Sequence, residues 1–265
     1  MTAPRTVLLT GAAGGVGTLM RERLPQYGYE LRLLDAAPVE GAPEAITADI
    51  RDTDALLAAV RGVDAIIHLA GISLEAPFEK ILDSNIEGTY SIYEAARAEG
   101  VRRVVYASSN HAVGFTPRPA DPAEKVGVGT APRPDTYYGV SKVFGEALAS
   151  LYADKYGVET VSIRIGSCFP EPRSVRMLDT WLSPDDCARL LHAALTAPDV
   201  GHTVVYGLSA NTRAWWDMEP ARALGYEPQD DSEVFAEKMI AEHGEPDHDS
   251  VDHRLLGGHF TTMEP

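Results

Sequence analysis

The sequence feature that most restricts the fold is a glycine-rich stretch directly after a short apolar segment. The segment TVLLT (6–10) leads into TGAAGGVG, in which Gly11, Gly14 and Gly17 follow one another at intervals of three residues. Glycine lets a backbone turn tightly and approach a pyrophosphate, whose charge then lies at the N-terminus of the following helix. Because a strand precedes these glycines and helical spacing follows them, they predict the start of a dinucleotide-binding domain.

Apolar segments rich in β-branched residues recur along the chain. They alternate with stretches of helical spacing, an order typical of a parallel sheet with crossover helices. The predicted fold is therefore α/β: a doubly wound parallel sheet, or Rossmann fold, with a small C-terminal substrate lobe. We place the cofactor-binding and catalytic domain at residues 1–165, and the substrate lobe and tail at 166–265, closely packed on the first. The predicted strands are 6–10, 30–34, 44–48, 64–70, 102–108 and 159–165, followed by a helix from about Pro184 and a strand near 202–207.

The charge balance excludes several function classes. The 265 residues include 23 Lys and Arg against 39 Asp and Glu, which gives a net charge of −16. Nucleic-acid binding requires a basic face, so we expect no nucleic-acid partner. No apolar run approaches about 18 residues, so we expect a cytoplasmic protein without a membrane partner. The two cysteines and the histidines of the tail have no spacing typical of a tetrahedral site, and we predict no metal.

A carboxylate at the end of the second strand bears on the choice of cofactor. Asp35 lies 18 residues after Gly17, where a carboxylate accepts both adenine-ribose hydroxyls and repels a 2′-phosphate. No Lys or Arg follows it in LLDAAPVEG, which favours NAD over NADP; a capping or turn residue is the alternative. Asp49, after the third strand, is placed beside the adenine, although a turn aspartate fits nearly as well. The residues predicted to bind NAD in this part of the chain are Gly11, Ala13, Gly14, Gly15, Val16, Gly17, Asp35, Asp49, Ile50, Leu69, Ala70 and Gly71.

The segment TYYGVSK contains two tyrosines, which helical geometry distinguishes. Residues four apart share a helix face, so Tyr138 meets Lys142 while Tyr137 points elsewhere. A phenol with a pKa of about 10 needs about 4 kcal/mol of differential stabilisation to act as a base near neutral pH. We expect the ammonium of Lys142 and the positive nicotinamide to supply it. Ser109, at the end of the fifth strand, is predicted to hydrogen-bond the reacting oxygen, with Ser108 as the alternative.

The order of the motifs points to a known superfamily. TGAAGGVG, Asp35, HLAG, SNIEGT, ASSNHAVG and YGVSK resemble, in this order, the extended, epimerase-like branch of the short-chain dehydrogenase/reductases over residues 6–165. The resemblance implies that Tyr138 and Lys142 contact the cofactor as well as perform catalysis. It also implies that Asn85 supports the lysine through water, and that Ile165 and Cys168 pack near the nicotinamide.

Two further stretches, ASSNHAVGF and RIGSCFPEPRSVRMLDTWLS, narrow the resemblance. Together with TRAWWDMEPARALGYEPQD they are similar to the uronate dehydrogenases. This resemblance implies NAD-dependent oxidation of the anomeric carbon of D-galacturonate or D-glucuronate to an aldarolactone. Another sugar dehydrogenase, epimerase or dehydratase of the branch is the first alternative, and a non-catalytic NAD sensor is the second. The superfamily also implies a homo-oligomer. The implied substrate contacts are Ser73, Ser109, Asn110, His111, Tyr138, Ser167 and Arg176.

Arg173 and Arg176 lie three residues apart in a chain that is short of cations. A uronate carries one negative charge, which the net charge of the protein repels unless a local cation compensates. An arginine fork matches a carboxylate with two parallel hydrogen bonds. By the resemblance, Arg176 binds the substrate carboxylate; an ion pair with Glu171 or Asp179 is the alternative. Arg173 is predicted to be a surface charge.

Overall fold

Parallel pairing of strands defines the architecture of the chain, of which the computed structural model describes residues 5–121 and 123–265. The strands are β1 (Thr6–Thr10), β2 (Glu30–Asp35), β3 (Ile46–Thr47), β4 (Ala65–His68), β5 (Arg103–Ser109), β6 (Glu159–Ile165), β7 (Ser167–Cys168), β8 (Trp181–Leu182) and β9 (His202–Gly207). One sheet has the order β3-β2-β1-β4-β5-β6-β9 with every neighbouring pair parallel, and β7 pairs with β8. The predicted doubly wound parallel sheet is confirmed.

Helices connect the strands. They are α1 (Gly15–Arg23), α2 (Thr53–Val60), α3 (Phe78–Ile81), α4 (Gly88–Glu99), α5 (Tyr137–Tyr156), α6 (Met177–Thr180), α7 (Pro184–Thr196), α8 (Glu219–Ala223), α9 (Ala236–His243) and α10 (Val251–Arg254), with a π-helical segment, Leu82–Glu87, before α4. The predicted helix from Pro184 begins there, because Ser183 caps it by accepting from Asp186 N and proline is well suited to the first helical position. Among the described helices, none is long and apolar enough to cross a bilayer.

Both faces of the sheet are buried. Val7 and Leu9 of β1 pack in one core with residues of α1 and α7, whereas Leu8 packs in a second core with α2, α4 and α5. In β4, Ile67 belongs to the first core and Ile66 to the second. Successive residues of a strand point to opposite faces, so burial of both faces explains why these strands are continuous apolar runs.

The last strand of the sheet comes from the C-terminal part of the chain. β9 pairs with β6 along its full length, so residues beyond 165 complete the sheet. The boundary predicted at residue 165 therefore does not coincide with the edge of the sheet. Trp215 and Trp216 pack with Val126 and Leu256 in a separate small core. Both tryptophans are buried.

The strand order reverses between β1 and β4. β2 and β3 extend the sheet on one side of this point, and β5, β6 and β9 extend it on the other. In open α/β sheets, ligands bind in the crevice at such a point, outside the carboxyl ends of the strands. The turns after β1 and β4 meet there and line a common cleft.

Candidate active site

The turn after β1 is too tight for a side chain at two of its spaced glycines. Gly11 has a φ of +73°, and a Cβ there would come within 2.7 Å of the backbone of Leu69 and Ala70. A Cβ at Gly17 would overlap the carbonyl oxygen of Gly11. α1 begins at Gly15, so the free N–H groups of its first turn lie directly after this turn, which is the arrangement that binds a pyrophosphate.

A cleft of about 410 Å³ opens at this end of the sheet, and Asp35 lies in its wall. One oxygen of Asp35 accepts from Ala13 N and the other from Ala37 N, both at 2.9 Å. These bonds fix the carboxylate and leave each oxygen a lone pair for a ribose hydroxyl. Asp35 is therefore a turn residue and a cleft residue at once. The predicted cofactor residues that line the cleft are Gly11, Ala13, Gly14, Asp35, Asp49, Ile50, Leu69, Ala70 and Gly71.

Arg51 lines the same cleft and was not identified from the sequence. It binds Asp49 with Nη2···Oδ2 at 2.9 Å, and Asp83 and Glu87 lie 3.3 and 3.9 Å from its Nη1. Hydrogen bonds from Arg51 hold the pKa of Asp49 below its usual range. The carboxylate of Asp49 is thus engaged by Arg51, and Arg51 is neutralised by three carboxylates.

The other predicted cofactor residues lie outside the lining of this cleft. Gly15 and Gly17 belong to the first turn of α1. Ile165 and Cys168 pack in the same apolar cluster as Val16, on the side of the sheet that carries α1 and α7. Their contact with the nicotinamide stays a prediction.

Asn85, in the π-helical segment, connects the loop after β4 to α5. Its Oδ1 accepts from Ile72 N at 2.8 Å, and its Nδ2 donates to Ile72 O at 2.9 Å and to Ser141 Oγ at 3.0 Å. Ser141 precedes Lys142 on α5. Asn85 therefore contacts the residue of α5 that directly precedes Lys142. A water-mediated contact between Asn85 and Lys142 stays a prediction.

The first turns of α5 bring the predicted catalytic pair together. Tyr138 and Lys142 are each 7% exposed, and Lys142 Nζ lies 5.3 Å from the centroid of the Tyr138 ring. The same ammonium lies 5.1 Å from the centroid of Tyr106. Tyr137 is 42% exposed. The helical register predicted from TYYGVSK is therefore the observed one.

The two serines at the end of β5 have different partners. Ser109 lies close enough to the phenol of Tyr138 to lower its pKa, and its Oγ donates to Asn110 Oδ1 at 3.3 Å. Ser108 Oγ donates to Glu146 Oε1 at 2.6 Å, and Glu146 in turn accepts from Arg164 Nε and Nη2 at 2.9 and 2.8 Å. This buried group anchors α5 to β5 and β6. The geometry places Ser109, and not Ser108, beside Tyr138.

Burial is the main cause of the pKa shifts of Tyr138 and Lys142 when neither cofactor nor substrate is considered. It raises the pKa of Tyr138 to about 12, although Ser109 opposes the rise. It lowers the pKa of Lys142 to about 8, although Glu146 opposes the fall. The expected lowering of the Tyr138 pKa by Lys142 is not found, and Asp135 adds to the rise that burial causes. A pKa of Tyr138 near neutrality requires further positive charge in the cleft.

Replacing Lys142 by Met is expected to stabilise the protein at pH 7. The pKa of Lys142 falls from 10.5 to about 8 on folding, so the folded protein binds this proton less tightly than the unfolded chain. Burying the charged lysine lowers the free energy of unfolding. This cost is complete below about pH 8 and disappears as the pH rises to 10.5, so stability increases with pH across this window. Methionine removes the penalty, and we expect a gain of about 1–3 kcal/mol.

Urea unfolding of both proteins at pH 7 and at pH 10 measures this effect. The difference between them should shrink at the higher pH, where the folded protein holds a neutral lysine. A Met variant that is less stable at pH 7 would show that the contacts of the ammonium with the two tyrosine rings exceed the cost of its burial.

His111 is held by a carboxylate and an aromatic ring. Its Nδ1 lies 2.7 Å from Asp135 Oδ2, and its ring stacks on Phe260 with 3.9 Å between centroids. The Asp135 side chain is fully enclosed, and Cβ atoms at Gly114 or Gly257 would overlap its carboxylate. Burial lowers the pKa of His111, although Asp135 opposes the fall. The hydrogen-bond geometry therefore assigns the proton of a neutral ring to Nδ1 and leaves Nε2 as an acceptor.

Arg176 and Asn110 meet at a backbone carbonyl of the C-terminal tail. Arg176 Nη2 and Asn110 Nδ2 both donate to Leu256 O, the second at 3.1 Å. Burial lowers the pKa of Arg176, and its charge also acts on His111. Arg176 and Asn110 thus share one carbonyl, and the charge of Arg176 acts on His111; the contact of all three with a substrate stays a prediction.

The ion pairs considered as alternatives for Arg176 are not formed. Glu171 binds Lys238 at 2.8 Å, and Asp179 binds Arg118 at 3.2 Å. Across residues 5–121 and 123–265, no carboxylate oxygen lies within 4 Å of the Arg176 guanidinium. Arg173 lies at the surface, with its guanidinium 3.9 Å from the centroid of the Phe169 ring.

The tail segment around LLGG (255–258) was not identified as part of the site from the sequence. Leu256 N and Gly257 N donate to Thr116 O and Gly114 O, at 3.0 and 2.8 Å. Gly258 has a φ of +56°, and a Cβ there would overlap the Arg176 side chain. The sequence signal that could have indicated this contact is the pair of adjacent glycines after two leucines, because glycines permit two backbones to approach closely.

The two remaining predicted substrate residues lie on separate segments. Ser73 is in the exposed loop between β4 and α3. Ser167 is buried in β7, and its Oγ hydrogen-bonds Thr180 Oγ1 at 2.9 Å. The structure gathers Ser109, Asn110 and His111 beside Tyr138, whereas the contacts of Ser73 and Ser167 with substrate stay predictions.

Further titratable residues lie in the C-terminal tail, where His259 acts on the pKa of His111 and Asp252 on that of Arg176. His248 and His253 have ring centroids 5.9 Å apart, and His259 Nδ1 lies 3.7 Å from Asp252. In the described parts of the chain, no group of three or more His, Cys, Asp or Glu is placed to hold a metal ion. A cleft of about 580 Å³, lined in part by Arg118 and His253, contains none of the predicted site residues.

Comparison with known proteins identifies the family. The sequence profile of the NAD dependent epimerase/dehydratase family matches residues 7–178. The chain belongs to this family. Two members similar to it are uronate dehydrogenases: one from Pseudomonas syringae pv. tomato is 53% identical and one from Pseudomonas putida is 49% identical. The alignments cover 98% of this chain in both cases, and 94% and 96% of the relatives.

Solved structures of epimerase/dehydratase relatives agree with this assignment. A tyrosine-to-alanine mutant of uronate dehydrogenase from Agrobacterium tumefaciens, complexed with NAD, is 46% identical and superposes with a TM-score of 0.91. The match covers 98% of each chain. The family resemblance inferred from motif order is therefore confirmed, and the similarity extends through the tail that contacts Arg176.

Proposed function

We propose that the chain oxidises the anomeric carbon of a hexuronic acid, D-galacturonate or D-glucuronate, with NAD as the hydride acceptor. The observation that carries the proposal is Arg176, a guanidinium with no carboxylate within 4 Å among the described residues. The charge of Arg176 acts on His111, and the ring centroids of His111 and Tyr138 lie 5.9 Å apart. Identities of 53% and 49% with uronate dehydrogenases support the same substrate class.

The residues of the cleft fit NAD. The turn between β1 and α1 has no room for a side chain at Gly11 or Gly17, and the free N–H groups at the start of α1 would bind the pyrophosphate. Asp35 is fixed by Ala13 N with a lone pair available on each oxygen, which suits the two hydroxyls of the adenine ribose. These residues would hold the adenosine and pyrophosphate, and the loop after β4 leads from them to Tyr138.

Oxidation removes a proton from the anomeric hydroxyl and a hydride from its carbon, and it leaves the carbonyl of a lactone. Bound NAD supplies the acceptor for the hydride. Tyr138, as phenolate, receives the hydroxyl proton, and Ser109 hydrogen-bonds the same oxygen. Lys142, with Nζ 5.3 Å from the centroid of the Tyr138 ring, stabilises the phenolate.

Arg176 and His111 divide the recognition of the sugar. Arg176 supplies a permanent charge and two parallel donors for the carboxylate. His111 presents Nε2 as an acceptor for a sugar hydroxyl, because Asp135 holds the proton on Nδ1. Cation and acceptor together fix the ring with its anomeric carbon toward Tyr138.

Mixing the protein with NAD and each uronate tests the proposal. Absorbance of reduced nicotinamide should report many NADH molecules per protein chain, because a dehydrogenase releases its reduced cofactor. An epimerase returns the hydride to its substrate and accumulates no NADH, and an NAD sensor forms none. Failure to form NADH with both uronates would exclude the proposal.

NAD is expected to be preferred over NADP by about 100-fold or more in kcat/KM. Asp35 would face the 2′-phosphate of NADP, and Arg51 is already bound by carboxylates, with Asp49 at 2.9 Å. Steady-state kinetics with both cofactors measures the preference, and Asp35→Ala should narrow it mainly by weakening NAD. Equal efficiency with the two cofactors would contradict the role of Asp35.

A cytoplasmic location and a homo-oligomer stay predictions. Apolar side chains exposed on α4 and α5, among them Tyr90, Leu151 and Tyr156, support self-association. Sedimentation equilibrium of the purified protein measures the oligomeric state.

A further inference from the structure

One carboxylate ties the loop after β4 to the start of α5. Glu75 Oε1 accepts from Tyr137 N and Glu75 Oε2 accepts from Tyr138 N, both at 3.1 Å. These are the first two residues of α5, whose N–H groups have no partner inside the helix. The N-cap Thr136 bonds Gly139 N with its side chain. Glu75 therefore completes the cap from 62 residues earlier in the chain.

Asn85 provides a second attachment of the same loop. It bonds the N–H and the C=O of Ile72 at 2.8 and 2.9 Å, and it donates to Ser141 Oγ at 3.0 Å. Ser141 lies on α5 between Tyr138 and Lys142. Residues 72–75 are thus attached to the catalytic helix at both ends, and Ser73 lies between the two attachments.

We propose that Glu75 is a positioning residue that sets the place of Ser73 relative to Tyr138. The inference rests on the proposed uronate oxidation, because Ser73 is the substrate contact that Glu75 would place. Residues 72–77 contain no helix or strand, so side-chain bonds fix their position. A carboxylate at a helix N-terminus is favoured by the helix dipole as well as by its hydrogen bonds.

The two hydrogen bonds between Glu75 and the start of α5 should affect substrate binding more than turnover. Tyr138 and Lys142 stay in place without Glu75, because Glu146 and Arg164 anchor α5 to the sheet with bonds of 2.8 and 2.9 Å. Displacement of the loop 72–77 would move Ser73 but would not move the catalytic base, Tyr138. We therefore expect KM for D-galacturonate to rise about 10- to 100-fold with kcat changed less than about threefold.

Glu75→Gln is the first test, with Glu79→Gln as its matched control. Glutamine replaces one acceptor oxygen by an NH₂ donor, so at most one of the two bonds to α5 survives. Glu79 lies four residues further along, exposed on α3. Steady-state kinetics should show the rise in KM for Glu75→Gln and unchanged KM for Glu79→Gln.

Tyr137→Pro tests the same tie from the helix side. Proline is tolerated at the first position of a helix and removes the N–H that Glu75 accepts. Thr136 has φ −148° and ψ 166°, which suits a residue before proline. Tyr137→Ala is the control, because it loses the ring and keeps the N–H. KM for D-galacturonate should be higher in Tyr137→Pro than in Tyr137→Ala. When both variants also carry Glu75→Ala, the difference in KM between them should be smaller.

The outcomes separate this inference from the function on which it rests. No turnover of uronate by the unchanged protein would overturn the proposed function and this inference with it. Turnover by the unchanged protein, with unaltered KM in Glu75→Gln and Tyr137→Pro, would overturn this inference alone. So would a lower melting temperature without a change in KM, because Glu75 would then be a helix cap only.

Discussion

Tyr138→Phe is expected to lower kcat for D-galacturonate by about 10²- to 10⁴-fold and to leave NAD binding largely intact. The change removes only the phenolic oxygen, which we propose receives the proton of the anomeric hydroxyl. The ring stays in place, because it is buried and packs against Lys142 and His111, at 5.3 and 5.9 Å. Stopped-flow or steady-state kinetics measures the loss, and a fluorescence titration with NAD measures the retained affinity.

Tyr137→Phe is the matched control for this experiment. Tyr137 precedes Tyr138 in the same helical turn, is 42% exposed, and packs edge-to-face on Phe78 through its ring. Phenylalanine keeps this contact, so kcat should stay within about threefold of the unchanged protein. If Tyr137→Phe were the inactive variant, the assignment of the base would be wrong.

The parts of the site that follow from local periodicity could be predicted from the sequence. Gly11 and Gly17 are required by a turn of eight residues, and Tyr138 meets Lys142 because residues four apart share a helix face. The strands of the sheet were recognisable because burial on both faces makes them continuous apolar runs. Each of these features depends on a short stretch of chain.

Contacts between distant segments were not predictable in the same way. Leu256 O accepts from Asn110 and Arg176, which precede it by 146 and 80 residues. Glu75 caps a helix that begins 62 residues later. The residue types in these contacts are ordinary for a loop, and no periodicity marks them. Only the folded chain brings them together.

The selection of one residue from two adjacent candidates also needed the structure. Ser108 and Ser109 are equivalent in sequence, but successive strand residues face opposite sides of the sheet. Ser108 turns to Glu146, at 2.6 Å, whereas Ser109 turns to Tyr138. A shift of β5 by a single residue would exchange the roles of the two serines. The boundaries of a strand are the least certain part of its prediction from sequence.

Arg176→Ala is expected to lower kcat/KM for D-galacturonate by roughly 30-fold to several thousand-fold. If Arg176 binds the uronate carboxylate, its loss leaves that charge unpaired in a protein of net charge −16. Removing one member of a charged, hydrogen-bonded pair costs about 2 to 5 kcal/mol. Arg176→Lys should restore only part of the loss, because one ammonium cannot form the two parallel bonds of the guanidinium.

Arg176 also donates to Leu256 O, so part of any loss could come from the tail that it holds. The ratio of kcat/KM for galacturonate over galactose separates the two effects. Galactose lacks the carboxylate, so a displaced tail should slow both sugars, whereas a lost ion pair should slow galacturonate alone. Arg173→Ala should leave the ratio unchanged, because Arg173 packs on Phe169 at the surface. An unchanged ratio in Arg176→Ala would mean that Arg176 holds the tail and not the substrate.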